Sequence, residues 1–286
     1  MSPRPSDRGR EIQALLAAHG EVNVEELARM LNVTASTIRR DLARLTREGN
    51  VARTYGGAVI SSARAAESTL YQRSRQARAA KNAIGRWAAE QIRSNETAIL
   101  DAGTTVGRLA HHLRGRDRIT VATNGLTSIN ELADADDIRV IALAGRLRHA
   151  SQSFVGPMTD LTLARITADR AFLGADGLVA GNGICEASSD QTRTKELMME
   201  RARYVYVLAD SSKLGEAPFH AWAPLPAPWI LVTDDGATDE QLEPFRALSY
   251  VDIVLVSSAI NVHASVNGQD DADFEPGLDP DQDETA

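Results

Sequence analysis

The sequence has little of what disulfide-bonded or membrane-spanning proteins need. Its 286 residues include one cysteine, Cys185, which excludes an intramolecular disulfide and a cysteine-ligated zinc site. We expect Cys185 to be a small buried apolar residue. No window has the roughly 18 consecutive apolar residues of a membrane helix, and the opening MSPRPSDRGR lacks the apolar core of a secretory signal. These absences predict a cytoplasmic protein with no membrane partner.

Motifs of cofactor and hydrolase chemistry are also missing. The sequence contains no G-x-G-x-x-G, no Walker loop and no G-x-S-x-G elbow, which disfavours a nucleotide cofactor and an acyl hydrolase. The neighbours His111 and His112 would point about 100° apart on a helix, so they do not form a metal site. We therefore expect no cofactor, no metal and no catalytic residues.

Charge is distributed unevenly around the net value of −8. From Met1 to Lys81 there are fourteen basic and eight acidic residues, whereas Asp270 to Ala286 has eight acidic residues and no basic one. A basic front on an acidic body is expected when one domain contacts phosphates and another does not. The tail, residues 261–286, is too poor in apolar residues to offset its ordering entropy and is predicted to be disordered.

The first sixty or so residues predict a winged helix-turn-helix. A short amphipathic helix starts near Arg8, Asn23 is placed to cap a second helix, and Thr34 is placed to cap a third that buries Ile38, Leu42 and Leu45. A three-residue break separates the last two helices. The segment NVARTYGGAVI then predicts two short strands around Gly56 and Gly57, which would form the wing.

Polar side chains on the third helix suit DNA. A recognition helix needs donors near its N-terminus that reach base edges, and guanidinium groups that bind guanine or phosphate. The wing would contact the neighbouring backbone. The alternative is a solvated basic face on an ordinary core helix, but three helices, a turn and a glycine wing in this order favour DNA binding. The predicted DNA-binding residues are Ser36, Thr37, Arg39, Arg40, Arg44, Arg53 and Tyr55.

The rest of the chain predicts an α/β domain. Seven apolar runs alternate with helical patterns, which indicates a largely parallel, Rossmann-like sheet with helices on both faces. The runs are TAILD, RITVAT, RVIALAG, RAFLGAD, YVYVLAD, WILVTDD and VDIVLVS. We place the DNA-binding domain at residues 1–61, a linker at 62–80 and this α/β domain at 81–260.

Polar loops follow these predicted strands, at the edge where open α/β sheets bind ligands. The AGTT loop before a helix offers backbone N–H groups, hydroxyls and a positive dipole end to a phosphate. A lysine or arginine would balance the charge, and Asp101 and Asp176 would bind sugar hydroxyls. Any one such loop is more often a structural turn, but six together favour a site. The predicted effector-binding residues are Asp101, Gly103, Thr104, Thr105, Asn124, Gly145, Arg146, Asp176, Lys195, Asp210 and Lys213.

Two groups of motifs resemble the DeoR family of bacterial regulators. The TIRRDL helix and the R-x-x-GGA wing resemble its DNA-binding domain. The D-x-GTT loop, the T-N-G turn, the F-x-G-P step and the A-DSSK loop resemble its sensor domain, which is similar in fold to ribose-5-phosphate isomerase. The resemblance spans about Arg8 to Ser257 and implies a repressor of carbohydrate catabolism, a homodimer or homotetramer on double-stranded operator DNA, and a phosphorylated sugar or polyol as effector. The chain departs from the family at Ala144, where a glycine is usual, and in the segment before Lys195.

Two other functions stay open at this point. One is a sugar-phosphate isomerase with a DNA-binding appendage, although Thr194 stands where related isomerases have a glutamate and only Glu186 offers a substitute base. The other is an architectural DNA-binding protein without a ligand. If the chain is a sensor, we expect Arg39→Ala or Arg40→Ala to abolish operator binding, and Asp101→Ala or Lys213→Ala to abolish the response alone.

Overall fold

The computed structural model describes residues 8, 9, 11, 12, 15, 22–47, 51–53, 57–60 and 67–258. For residues 44, 46, 47, 51–53 and 57–60 it describes the backbone alone. The predicted acidic tail, 261–286, lies outside the described residues. The chain divides into two compact units, Met1–Ser68 and Thr69–Ala286.

The first unit is the predicted winged helix-turn-helix. Its described elements are β1 (Val22–Asn23), α1 (Val24–Met30), α2 (Ala35–Arg47), β2 (Val51–Arg53) and β3 (Gly57–Ile60), and the described residues between 8 and 15 are helical. Asn23 Oδ1 accepts a hydrogen bond from the Glu26 N–H at 2.8 Å, and Thr34 Oγ1 accepts one from the Thr37 N–H at 3.3 Å. Both predicted caps are therefore confirmed.

One face of α2 packs into the hydrophobic core of this unit. Ile12, Leu27, Ile38, Leu42 and Leu45 pack together with almost no exposure. β3 pairs antiparallel with both β1 and β2, which gives the predicted wing. The exposed side of α2 is therefore held beside a small sheet, as a recognition helix requires.

The second unit contains a seven-stranded sheet in which every pairing is parallel. The strands are β4 (Thr97–Leu100), β5 (Ile119–Thr123), β6 (Ile138–Ala142), β9 (Ala168–Leu173), β12 (Ala202–Leu208), β14 (Trp229–Asp234) and β15 (Val251–Val256). Their order across the sheet is β15-β14-β12-β9-β4-β5-β6. All seven predicted runs are in it, so the predicted parallel sheet is confirmed.

Helices cover both faces of the sheet. The helices are α3 (Leu70–Arg75), α4 (Arg78–Glu90), α5 (Thr104–Leu113), α6 (Leu126–Leu132), α7 (Pro157–Leu163), α8 (Ser189–Glu200) and α9 (Asp239–Arg246). Along β4, Ala98 and Leu100 belong to the core cluster formed with α4 and α5, whereas Ile99 belongs to the cluster formed with α8 and α9. This alternation is what a strand buried on both faces requires.

Smaller β elements, which the sequence did not predict, border the sheet. β7 (Arg146–Arg148) and β8 (Ser153–Val155) form an antiparallel hairpin, and β10 (Gly177–Val179), β11 (Gly183–Glu186) and β13 (Ala221–Ala223) form a separate antiparallel sheet. Residues 62–80 also differ from the predicted linker. The second unit begins at Thr69, whose capping box starts α3, and Leu70 at the start of α3 is buried.

Close packing of α4 on α5 depends on Gly85. A Cβ at this position would lie 2.7 Å from Arg108 Cβ and 2.7 Å from the Leu109 backbone nitrogen. We expect Gly85→Ala to destabilise the second unit by about 1–3 kcal/mol because the two helices would have to separate. Chemical denaturation would measure this. In an unhindered helix the same change stabilises by up to about 1 kcal/mol, so a stabilised variant would contradict the prediction.

Candidate functional site

A cavity opens where the order of the sheet reverses. After β4 the chain adds β5 and β6 on one side, and then β9, β12, β14 and β15 on the other, so the loops after β4 and β9 diverge at the carboxyl edge. Such switch points are where open α/β sheets bind ligands. The cavity contains about 500 Å³ of space, its open mouth included. Predicted effector residues that line it are Gly103, Thr104, Thr105, Asp176, Lys195, Asp210 and Lys213.

Lys195 is the buried centre of this site. Its Nζ contacts Asp101 Oδ2, donates to the Gly174 carbonyl oxygen at 2.9 Å and lies 3.1 Å from Glu186 Oε1. Asp101, Glu186 and Lys195 are each less than 5% exposed. Burial raises the pKa of Glu186 to about 8 against the attraction of Lys195. Burial by itself lowers the pKa of Lys195, but the two carboxylates outweigh it, so the pKa is raised and the lysine stays charged.

Asp101 therefore has a different place from the one predicted. Its Oδ2 accepts from Lys195 and from the Gly174 N–H at 3.1 Å, and it does not line the cavity. It ties the end of β4 to the end of β9 and holds Lys195 in position. Asp101 Oδ2 is therefore used inside the protein, and a bond from Asp101 to a sugar hydroxyl stays a prediction.

Three other predicted effector residues lie away from the cavity. Asn124 is buried, and its Nδ2 donates to the Phe154 carbonyl oxygen at 3.1 Å. A Cβ on Gly145 would lie 2.3 Å from Thr159 Oγ1, so this glycine serves the packing of β7 and β8 on α7. Arg146 is exposed and pairs with Asp190 at 2.6 Å. The glycine and the arginine follow β6, an edge strand, and so they lie away from the switch point between β4 and β9.

Two basic residues that line the cavity were not predicted from the sequence, because one lies in the predicted linker and the other directly follows it. Arg73 on α3 pairs with Asp176 through Nη1 and Oδ1 at 2.5 Å, and its Nη2 donates to the Ala150 carbonyl oxygen at 3.2 Å. Lys81 on α4 donates to the Arg73 carbonyl oxygen at 2.7 Å and lies 3.8 Å from Asp210 Oδ2. Burial lowers the pKa of Lys81 to about 8, although Asp210 opposes the shift.

A sequence signal for Lys81 did exist. Lys81, Ile84, Gly85 and Ala88 are spaced as one helical face, and all four are buried. A lysine on an otherwise apolar face needs a partner, and here the partner is the cavity wall. Arg73 had no comparable signal, because its neighbours in the sequence are polar and basic.

The cavity retains unused capacity for a polar ligand. Asp176 Oδ2 is buried and has no hydrogen-bond partner among the residues that the structure describes. Gly103 is the N-cap residue of α5, with a φ of +142° and no side-chain capping bond, and Gly103, Thr104 and Thr105 line the cavity. The first-turn N–H groups of a helix have no acceptor within the helix. The arrangement offers an anion-binding helix start beside a hydroxyl acceptor.

The recognition helix presents its predicted residues to solvent. Ser36, Arg39 and Arg40 are exposed, and Thr37 is half-buried with its Oγ1 2.9 Å from Thr34 Oγ1. The helix is also fastened by a buried ion pair that the sequence did not reveal, Arg8 Nε to Asp41 Oδ2 at 2.6 Å. The side chains of Arg44 and Arg53 and the whole of Tyr55 lie outside the described residues, so their predicted DNA contacts stay predictions.

The described residues were also compared with the requirements of a metal site and of a membrane-spanning helix. No group of three or more histidine, cysteine or acidic side chains is placed there to hold a metal ion. His111 Nδ1 lies 2.9 Å from Glu131 Oε2, His112 Nε2 lies 2.8 Å from Asn82 Oδ1, and Cys185 is buried as predicted. None of the described helices has both the length and the apolar character to cross a bilayer.

Comparisons with known proteins agree with both units. A family model described as a DeoR-like helix-turn-helix domain matches residues 8–64, and one described as a DeoR C terminal sensor domain matches residues 76–235. Among solved structures, ribose 5-phosphate isomerase A of Methanocaldococcus jannaschii is 16% identical with a TM-score of 0.35, over 46% of this chain and 52% of that one.

Curated relatives are named as transcriptional regulators. A putative aga operon transcriptional repressor of Escherichia coli O157:H7 is 31% identical over 88% of this chain and 94% of its own length. The glycerol-3-phosphate regulon repressor of Escherichia coli K12 is 31% identical over 74% of this chain and 84% of its own length. The repressor GlcR of Bacillus subtilis is 33% identical over 77% and 84%. The chain therefore belongs to the DeoR family of helix-turn-helix transcriptional regulators, and it is a regulator of transcription, not an enzyme.

Proposed function

We propose that the protein represses an operon of carbohydrate catabolism and releases its operator when a phosphorylated sugar or polyol binds the cavity. The observation that carries this proposal is the convergence of the α5 N-terminus, Lys81 and Lys213 on one cavity, beside an Asp176 Oδ2 that has no hydrogen-bond partner among the described residues. The helix N-terminus and the two lysines suit a phosphate, and the carboxylate oxygen of Asp176 suits a sugar hydroxyl. The relatives named for the aga operon and the glycerol-3-phosphate regulon support this class of repressor.

Release follows from linkage between the two sites. If the DNA-binding conformation has the weaker affinity for effector, the effector must weaken operator binding by the same factor. A coupling free energy of about 1–3 kcal/mol would change operator affinity about 5- to 150-fold. A homodimer or homotetramer in the cytoplasm, bound to repeated half-sites, is the form in which we propose that the chain acts.

Thermal denaturation against a panel of sugar and polyol phosphates tests the effector class. A ligand at 100 times its Kd stabilises by about 2.7 kcal/mol, and the unphosphorylated counterpart should give no shift. If no phosphorylated compound in a broad panel raises Tm, the proposal fails and an architectural DNA-binding protein becomes the better explanation. Operator release by the same compound, measured by fluorescence anisotropy, then tests the linkage.

We expect Lys213→Ala to weaken effector binding at least about tenfold, because a charge-assisted hydrogen bond to phosphate contributes about 1.5–3 kcal/mol. Titration calorimetry with a compound that stabilises the native protein would measure this. Arg146→Ala is the matched control, since it removes one positive charge from an exposed pair outside the cavity. Equal losses in the two variants would show that only net charge matters and would remove Lys213 from the site.

A further inference from the structure

One arginine of the recognition helix carries a counter-charge. Arg39 Nη2 on α2 lies 3.1 Å from Glu25 Oε1, which belongs to the first turn of α1. The two side chains are 55% and 66% exposed, so the pair lies at the surface. In this it differs from the buried pair of Arg8 and Asp41, which fastens the helix from below. A surface ion pair contributes little to the free energy of unfolding, so we ask what this pair does for DNA binding.

The neighbouring arginine provides the contrast. Arg40 is exposed, and it has no ion-pair partner among the residues that the structure describes. Two adjacent guanidinium groups on one recognition helix are therefore in different states. Arg40 is available to any phosphate, whereas Arg39 must first leave a carboxylate.

That difference changes how each arginine responds to DNA. An exposed ion pair in water is weak and is broken by a better acceptor. A guanine offers Arg two acceptors in bidentate geometry, whereas a lone phosphate exchanges one anion for another. The carboxylate is also repelled by the phosphates of any duplex. The pair must be broken in any complex in which Arg39 contacts DNA, so Glu25 lowers the affinity for every duplex that Arg39 contacts.

We propose that Glu25 is an attenuating residue of the DNA-binding unit, which lowers its affinity for DNA. It competes with DNA for Arg39, because Arg39 must leave the carboxylate before it can contact a phosphate or a base edge. The proposal rests on α2 being the helix that contacts DNA. It assigns a function to a residue of α1, outside the recognition helix itself.

The test compares Glu25→Gln with Glu26→Gln in the full chain. Both substitutions remove one negative charge from the first turn of α1, but Glu26 forms no ion pair among the described residues. On a random-sequence 30-bp duplex, we expect Glu25→Gln to bind about fivefold tighter and Glu26→Gln less than about twofold tighter. The plot of log affinity against log salt should steepen by about 0.9 for Glu25→Gln alone, the change expected for one added phosphate contact.

Specific binding supplies the second measurement. On a duplex that the native protein has selected from a random pool, affinity should also rise about fivefold for Glu25→Gln, so the specificity ratio should change less than about twofold. In an Arg39→Ala background, Glu25→Gln and Glu26→Gln should change the affinity for DNA by the same factor, because Glu25 no longer has Arg39 to bind. The thermal unfolding of both variants should match that of the native protein, because Glu25 is exposed and the half-buried Glu26 forms no ion pair among the described residues.

Two results would overturn the proposal. One is equal behaviour of Glu25→Gln and Glu26→Gln on random DNA, in affinity and in salt slope. The other is weaker binding of Glu25→Gln to both duplexes, which would make Glu25 a brace that positions Arg39. Failure of the underlying function has a separate signature, because Arg39→Ala and Arg40→Ala would then leave binding to both duplexes unchanged.

Discussion

Replacement of Lys195 by methionine is expected to destabilise the second unit by about 3–5 kcal/mol. The substitution leaves Asp101 and Glu186 buried without the cation that now binds both. Removing one partner of a buried ion pair leaves an uncompensated charge, and that cost exceeds the net value of the pair. The loss is a large fraction of the stability of an ordinary domain. Urea denaturation of the full chain, followed through near-UV circular dichroism, would measure it.

The pH dependence of this loss identifies its cause. The pKa of Glu186 is already raised to about 8 by burial, and it rises further without Lys195. A carboxyl with a raised folded pKa contributes stability below its unfolded pKa, near 4.5, and loses it as pH rises through the folded value. The deficit of Lys195→Met should therefore grow as pH rises above about 8, because Glu186 loses its proton in the folded native protein and keeps it in the folded variant. Between about pH 5 and 7 both folded forms hold that proton, so the deficit should be nearly constant there. Addition of Glu186→Gln should recover part of the deficit at pH 8, and a pH-independent deficit would indicate a packing defect instead.

The fold was predictable because each element carried its own local pattern. The seven apolar runs are strands of one parallel sheet, and the caps at Asn23 and Thr34 start the helices that the periodicity predicted. The two antiparallel additions were missed because β7, β10 and β13 are three residues each, too short for an alternation to register. The start of the second unit was missed because α3 is mostly polar, with its buried contact at Leu70.

The sequence predicted where the candidate site lies better than it predicted what each residue of the site does. Strand ends at the carboxyl edge identify loops, but strand order decides which loops meet, and order is not written in local patterns. Residues after β6 therefore appeared equivalent to those after β4, although β6 is an edge strand. The roles of Asp101 and Lys195 depend on a contact across 94 positions of sequence. Because they bind each other, neither is simply a ligand contact.

This changes what an effector-blind variant should look like. From the sequence, Asp101→Ala and Lys213→Ala appeared interchangeable. In the structure, Asp101 holds Lys195 and the Gly174 N–H, so its loss weakens the fold as well as the site. Lys213 lines the cavity, and its side chain forms no ion pair among the described residues. Lys213→Ala is therefore the cleaner probe of response.

Replacement of Arg40 by alanine is expected to abolish specific operator binding and leave effector binding unchanged. Arg40 is exposed on the recognition helix and, unlike Arg39, carries no described counter-charge to lose before it reaches DNA. A bidentate contact to guanine is worth about 1–3 kcal/mol of discrimination, and a phosphate contact adds to it. In a homo-oligomer each loss is repeated at every half-site, so two half-sites multiply a tenfold loss to about a hundredfold. Anisotropy with a duplex selected by the native protein would measure the change.

Arg29→Ala provides the matched control, because Arg29 is an exposed arginine of the same unit, in the last turn of α1, and it is not one of the predicted DNA-binding residues. It should lower affinity for all DNA slightly, through net charge alone. The thermal shift produced by a stabilising sugar phosphate should be the same in the native protein, Arg40→Ala and Arg29→Ala. Loss of that shift together with DNA binding in Arg40→Ala would indicate misfolding, because Arg40 belongs to the first unit and the cavity is built entirely from the second. Independent loss of one activity is what separates a DNA-reading residue from a residue that supports the fold.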